Sequence, residues 1–339
     1  MNDTRIGVIG SGFMGRTNAE TITRYLPGAR LAAIAGGTRA AALATDYGVD
    51  AEPDVASLLA RRDIDAVFIS TPHAQHAAQA VAAAESGKHI LLDKPMAASV
   101  EDCDRIIKAA AAAGINVMIM FGQRFRKVNT EAYRLIQEGA ISAVRQIHSY
   151  ALNSGGLASL PAWQSEPENL GTLLGHGIHN IDQVRWLSGK QVVSVSAEVQ
   201  REAPSNNEVS TMAVLGLEGG VMATVWVSWT LPSPGLPHSA FSARVIGETG
   251  ILDLDAYGVL RLGQGDSWNV VVEQAPIDFK GKGMLDPVRL EAYAAQGDEF
   301  LNSIREKRQP SVTGADGRAA VQVALAAYES ANGQRKILL

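Results

Sequence analysis

The chain has 339 residues, 46% of them hydrophobic and 19% charged, with a formal net charge of −5. That balance offers no basic field to nucleic acid or to an anionic membrane surface, and no apolar run reaches membrane-spanning length. Cys103 is the only cysteine, which excludes a disulfide framework and cysteine-rich metal sites and fits a reducing compartment. The first strand pattern starts within a few residues of Met1, so a cytoplasmic protein is expected, and the length points to two domains.

The chain opens on a β-branched run, Ile6, Val8 and Ile9, that ends in Gly10-Ser11-Gly12-Phe13-Met14-Gly15, followed by a helical pattern through Ala19, Ile22 and Leu26. This is the G-x-G-x-x-G spacing in a strand–turn–helix setting, the arrangement that holds a dinucleotide pyrophosphate on a helix N-terminus. Apolar runs of strand length recur at 31–35, 66–69, 89–92 and 115–121. Alanine-rich helical stretches lie between them, notably 74–85 and 100–113. Such alternation predicts a parallel sheet covered on both faces, ending near Gly122. Ser99 and Asp102 have the spacing of a helix cap.

The second strand runs into Ala35-Gly36-Gly37-Thr38-Arg39, without the carboxylate that favours an NAD ribose. Thr38 and Arg39 can both donate to a 2′-phosphate, so NADP is the expected cofactor, with NAD as the other possibility. Arg39 has a second reading as the solvated start of the next helix. Two further segments fall at the carboxyl ends of predicted strands, where open α/β sheets place ligands. These are Ser70-Thr71-Pro72-His73-Ala74-Gln75-His76 and Asp93-Lys94-Pro95. Pro95 fixes the local backbone, so Lys94 is aimed rather than free, and it is a candidate catalytic group.

With these motifs in view, the chain resembles the glucose–fructose oxidoreductase / inositol dehydrogenase (Gfo/Idh/MocA) family. Its Glu-Lys-Pro stands here as Asp93-Lys94-Pro95 and its Thr-Pro-Asn as Thr71-Pro72-His73. The resemblance implies a Rossmann domain over residues 1–122. It implies a second α/β domain over 123–339, built on a large, mostly antiparallel open sheet. It also implies NAD or NADP and chemistry at a secondary alcohol or ketone, usually of a sugar or cyclitol. Cofactor contacts are then expected from Gly10, Gly12, Phe13, Met14, Gly15, Thr38, Arg39, Ser70, Thr71, Pro72, His73, His76, Asp93 and Lys94.

The second half reads as a helix over 125–138 and then strands at 145–152, 192–199, 210–217, 221–228, 243–246, 250–254 and 259–262, with a hairpin turn at 217–221. An apolar sheet face left open by helices on one side favours subunit pairing, and a homodimer or homotetramer is expected. Between these strands lies Gly175-His176-Gly177-Ile178-His179-Asn180-Ile181-Asp182. A helix is expected from about His179, because Gly177 disfavours helix at His176. The family's second signature, Asp-x-Gly-x-His-x-x-Asp, is matched at Gly177, His179 and Asp182. It departs at Gly175, where the family often carries a catalytic aspartate. The expected proton relay is therefore Lys94 with His179, assisted by His176, while Asp182 orients a neighbour.

His176, His179 and Asp182 spiral around a helix at steps of three, which argues against a metal site. Gln123 and Arg124 follow the sixth strand end and are candidate substrate contacts. Trp163, in the loop 154–168, is placed to stack on a sugar ring or simply to pack. Helices are expected at 300–307 and 317–331. The alternatives are oxidation of a non-sugar cyclic diol, oxidation of a glycoside ahead of elimination, or a non-catalytic NADP-binding regulator.

Overall fold

The computed structural model describes residues 3–154, 162–166, 169, 171–202, 207–236, 239–278 and 281–339. The chain divides into two compact units. One joins Met1–Gly122 to Ile277–Arg318, and the other joins Gln123–Pro276 to Ala319–Leu339. No helix among the described residues is long and apolar enough to cross a membrane.

The first unit alternates strand and helix. Its strands are β1 (Thr4–Ile9), β2 (Ala29–Ala35), β3 (Asp50–Ala51), β4 (Ala66–Ile69), β5 (His89–Leu92) and β6 (Val117–Ile119). The helices between them are α1 (Phe13–Arg24), α2 (Ala40–Tyr47), α3 (Val55–Ala60), α4 (His73–Glu85) and α5 (Val100–Ala113). The strands form one parallel sheet in the order β3-β2-β1-β4-β5-β6, the doubly wound order whose direction reverses beside β1. β1, β4 and β5 are almost wholly buried, as expected of strands covered on both faces. Ser99 caps α5, its hydroxyl accepting the Asp102 N–H at 3.1 Å.

The second unit carries α6 (Lys127–Gln137), β7 (Val144–Ser154), α7 (Ile178–Ser188), β8 (Val192–Glu202), β9 (Asn207–Leu217), β10 (Met222–Leu231), β11 (Phe241–Gly247), β12 (Ile251–Asp255), β13 (Val259–Gln264) and β14 (Ser267–Glu273). Helices α8 (Pro287–Arg305) and α9 (Gly314–Gly333) and the short β15 (Ile337–Leu338) complete the chain. Its nine-stranded sheet has the order β14-β13-β12-β11-β7-β10-β9-β8-β15, antiparallel throughout except for the β7–β10 pair. The turn at Gly219 and Gly220, both at positive φ, closes the β9–β10 hairpin. One face is packed by α6 and α7. On the other, Met212 is 57%, Val214 55% and Met222 53% exposed. Met212 lies opposite Trp226, which in turn lies opposite Tyr150.

The continuous second domain expected over 123–339 requires correction, because Ile277–Arg318 returns to the first unit. The reason is apolar burial: Phe300 on α8 meets Phe68 of β4 edge-on at 5.8 Å, and a side chain at Gly297 would run into Leu26. α8 is also far longer than the helix expected at 300–307. Its first turns carry the polar residues Arg289, Tyr293 and Gln296 that hide an amphipathic pattern. β3 and β14 were not anticipated: β3 spans two residues, and β14 is largely exposed.

Candidate functional site

In the first unit, three expected ligand segments meet at the carboxyl end of the parallel sheet. Gly10 leaves β1 at φ +116°, and a methyl there would collide with the Ser70 carbonyl oxygen at the end of β4. A methyl at Gly15 would likewise collide with the Gly10 carbonyl, so α1 begins hard against the turn. Gly12 is the N-cap of α1 and has no side chain to satisfy the first-turn N–H groups. Beside it a methyl would meet nothing closer than the Arg39 guanidinium, 3.8 Å away. First-turn N–H groups without a side-chain cap, glycines at close approach and a nearby guanidinium are the donor set that a dinucleotide phosphate requires. The residues present therefore fit NAD(P).

Thr38 and Arg39 are exposed, and Arg39 is also the N-cap of α2, so its two sequence readings are compatible. Phe13 is 46% exposed in the first turn of α1, with Met14 beside it. Behind them sits Arg289, 3% exposed, its guanidinium 4.9 Å from the Phe13 ring and 4.6 Å from the Tyr293 ring. It donates to Met284 O at 2.6 Å and to the Tyr293 hydroxyl at 3.0 Å. Sequence reasoning missed Arg289 and Tyr293 because nothing in the local pattern ties them to a turn more than 270 residues earlier.

Ser70 accepts a hydrogen bond from Asn18 of α1 at 2.9 Å, and Thr71 donates to Gln79 at 2.6 Å. Pro72 is the N-cap of α4, and His73 is buried in its first turn, its ring 5.8 Å from that of His76. His76, expected to touch cofactor, is fully buried and serves another purpose. Its Nδ1 lies 2.8 Å from Pro95 O and its Nε2 2.9 Å from Thr71 O, so one imidazole sits between the β4 and β5 loops and, as the neutral ring, donates to one of the two carbonyls. Burial lowers its pKa below 6.5, with Asp93 and the two carbonyls pulling the other way.

Asp93 is buried and accepts the Lys94 backbone N–H at 2.8 Å. The Lys94 side chain is half-buried. Loss of hydration lowers its pKa from the ordinary 10.5, opposed by the Asp93 carboxylate. An amine so placed can exchange protons near neutrality more readily than a surface lysine.

In the second unit the histidine segment is more regular than expected. Leu173–Gly177 forms a π-helical turn that runs directly into α7, so His176 is helical after all. Glycine at 177 serves close packing here: a methyl would meet Val227 at 2.5 Å and Leu173 at 2.8 Å. π turns recur at functional sites because they re-aim side chains. His176 packs edge-on against Trp229 at 4.6 Å, and His179 against Phe241 at 6.0 Å. Phe241 is in turn 6.1 Å from Tyr257. Gly175 is buried within the turn.

Asp182 takes the orienting role: Arg124 donates to it from Nε at 2.8 Å and Nη2 at 2.6 Å, both side chains being buried. Arg124 is thus held in a bidentate pair. Gln123 is similarly occupied. Its Nε2 reaches the Tyr257 hydroxyl at 3.3 Å, and its carbonyls accept from Asn129 at 2.8 and 3.1 Å. The chain of bonds continues from Asn129 through Gln183 and Ser149 to Asn180. Both expected substrate contacts are thus hydrogen-bonded within this unit, and these bonds stiffen the fold around them. Trp163 accepts at its carbonyl from Asn169 at 2.9 Å, while 155–161 and 167–168 of its loop lie outside the described residues. No cluster of metal-ligating side chains occurs among the described residues.

Comparison with known proteins bears on this geometry. A family model described as "Oxidoreductase family, NAD-binding Rossmann fold" matches residues 4–121, and the "GFO/IDH/MocA C-terminal domain" matches 129–253. Inositol 2-dehydrogenase 2 of Saccharopolyspora erythraea is 32% identical over 256 residues, 74% of this chain and 72% of its own. An inositol 2-dehydrogenase/D-chiro-inositol 3-dehydrogenase of Lacticaseibacillus casei is 27% identical over 348 residues, covering 99% and 94%. The crystal structure of scyllo-inositol dehydrogenase from Lactobacillus casei, with NAD(H) and scyllo-inositol bound, shares the fold. It superposes with a TM-score of 0.83 at 23% identity over 99% of each chain.

The His76 tie has a measurable consequence. A histidine whose folded pKa is depressed takes up its proton preferentially in the unfolded chain, so stability is full above pH 6.5 and declines as pH falls below it. His76→Gln should flatten that part of the stability–pH curve. It should also destabilise the protein at pH 8 by about 1–3 kcal/mol through loss of the imidazole's hydrogen bond to a buried carbonyl. Denaturant unfolding of both proteins from pH 5.5 to 8 checks this, and parallel curves would refute it.

Proposed function

The chain belongs to the Gfo/Idh/MocA family of oxidoreductases, and on that premise we propose that it moves a hydride between NADP and a secondary alcohol or ketone of a cyclitol, sugar or related polyol. The observation that carries the reading is the meeting of three strand ends in one unit. The Gly10 turn abuts Ser70, and His76 sits between Thr71 and Pro95, which supports a dinucleotide cradle with Lys94 assigned to its rim. The inositol dehydrogenases among its relatives support a cyclitol-like substrate. The NADP preference rests on the Arg39 guanidinium near Gly12 and on the absence of a carboxylate from residues 35–39.

The bound nicotinamide supplies the acceptor or donor of the hydride. Lys94 handles the proton: as a neutral amine it accepts the hydroxyl proton while the carbinol C–H bond breaks. In the reverse direction its ammonium returns that proton to the forming alkoxide. Asp93, holding the Lys94 backbone N–H, keeps the strand end in place. His179 is assigned a second proton-handling role, and His176 and Trp163 the recognition of substrate. Gly10, Gly12 and Gly15 admit the phosphates, and Phe13, Met14 and the 70–73 segment wall the cradle.

The open sheet face, with Met212, Val214, Met222 and Trp226, is assigned to a second copy of the chain. Exposed apolar side chains contiguous across adjacent strands favour burial by association.

Lys94→Ala should lower kcat for polyol oxidation at least about 10²-fold with NADPH affinity unchanged. The wild-type kcat/KM should fall as pH drops and the amine is protonated, along a limb centred below pH 10.5 that the variant lacks. Near-normal turnover in the variant would end the assignment. Arg39→Ala should cut the preference for NADP over NAD, as a ratio of kcat/KM values, roughly 10- to 100-fold. An unchanged ratio would remove the 2′-phosphate role. Light scattering behind size exclusion should give at least twice the 35.9 kDa chain mass, and a monomer at micromolar concentration would contradict the pairing.

A further inference from the structure

The segment bearing His176 and His179 is anchored by a carboxyl that the chemistry above does not use. Glu208, near the start of β9, is 1% exposed. Its Oε1 accepts the Thr172 hydroxyl at 2.9 Å and also the Leu173 backbone N–H. The Thr211 hydroxyl reaches the same oxygen at 3.5 Å. From α9 the Tyr328 phenol donates to this carboxyl, and its oxygen accepts the Leu174 N–H at 3.2 Å. Residue 171 is glycine for want of room, because a methyl there would land on Glu208 Oε2.

The opening N–H groups of any helical turn lack intrahelical acceptors. Here Glu208 and Tyr328 take those of Leu173 and Leu174, the first two residues of the π turn. The anchor therefore sits three residues before His176 and six before His179, on a turn whose other side is pressed to Val227. An error in its placement would be transmitted to both imidazoles, and misplacement on the order of 1 Å costs catalysis up to about 10²-fold.

We propose that Glu208 is the positioning residue of the histidine segment, holding the π turn so that His176 and His179 keep one orientation toward substrate. This rests on the reading of those histidines as substrate-facing groups. The carboxyl is also poised to change state: burial raises its pKa to about 7, against the pull of the Leu173, Thr172 and Tyr328 donors. The titratable and charged groups facing it among the described residues are Tyr328 on α9 and Arg201, its cross-strand neighbour on β8. Protonation would turn one acceptor oxygen into a donor, and the hydrogen bonds around the carboxyl would have to rearrange.

The test compares wild type with Glu208→Gln and Glu208→Ala by NMR of the seven histidine imidazoles, by NADPH titration and by kinetics on scyllo-inositol. In the wild type the His176 and His179 resonances should show a second inflection near pH 7, absent in Glu208→Gln. In Glu208→Ala both resonances should move while those of His73 and His89 hold, and kcat/KM should fall roughly 10- to 100-fold with NADPH affinity retained. Unmoved His176 and His179 resonances in folded variants overturn the proposal. So does an equal disturbance of all seven histidines in both variants, which would make Glu208 a general prop of the fold. Should the wild type fail to oxidise any polyol, the dehydrogenase reading falls, while the imidazole spectra still decide the role of Glu208.

Discussion

Backbone crowding where β1 meets β4 governs the first unit. The chain leaves β1 at Gly10 with the Ser70 carbonyl so close that no Cβ fits, and α1 starts so close to Gly10 that none fits at Gly15 either. Parallel strands deliver all their carboxyl ends to one edge, and the reversal of strand order beside β1 opens a crevice there. The first-turn N–H groups of α1, the Ser70–His73 segment and Lys94 all follow strand ends at one edge of the sheet. His76 completes the arrangement by joining two adjacent loops through a single ring, which explains its complete burial.

The second unit solves a different problem, which is to hold a few polar side chains still against a large sheet. It does so in part through a run of hydrogen bonds between buried polar side chains. Gln123, Asn129, Gln183, Ser149 and Asn180 form one run of hydrogen bonds, and Arg124 with Asp182 forms a buried bidentate pair beside it. In so low a dielectric each bond of such a network counts for more than it would in water, and the set of bonds narrows the packing. Around His176 and His179 the surroundings are instead aromatic, with Trp229 and Phe241 each meeting an imidazole edge-on. A hydrogen-bonded brace beside α7 and aromatic neighbours at both imidazoles are what a site needs if its histidines are to face a ligand rather than the core.

Sheet, cradle and candidate amine were legible because each is written in contiguous residues. Gly10 to Gly15 follow a strand, Asp93-Lys94-Pro95 ends another, and the alternation of apolar runs with alanine-rich helices announces a parallel sheet. The chemical character of Gln123 and Arg124 was equally visible, but not their partners. Position after a strand end is a local property, but whether an amide or guanidinium is free depends on Asn129, Tyr257 and Asp182, which approach from elsewhere in the chain. The helical state of His176 escaped for the same reason. Gly177 looks like a helix breaker in isolation, yet its lack of a side chain is what lets the π turn lie against Val227.

From the order of residues alone came the doubly wound first sheet, the strand-rich second half, the glycine turn and the candidate proton-transfer lysine. Each depends on periodicity or on spacings of a few residues, and such short-range patterns survive in a one-dimensional text. Tertiary structure decided the return of Ile277–Arg318 to the first unit, the use of His76 as a tie, the occupation of Arg124 by Asp182 and the anchoring of the histidine turn by Glu208. All four are contacts between segments far apart along the chain or side chains aimed across a loop. Which groups meet there is settled by how apolar faces pack and by the need of every buried polar atom for a partner, and neither is written at any one position.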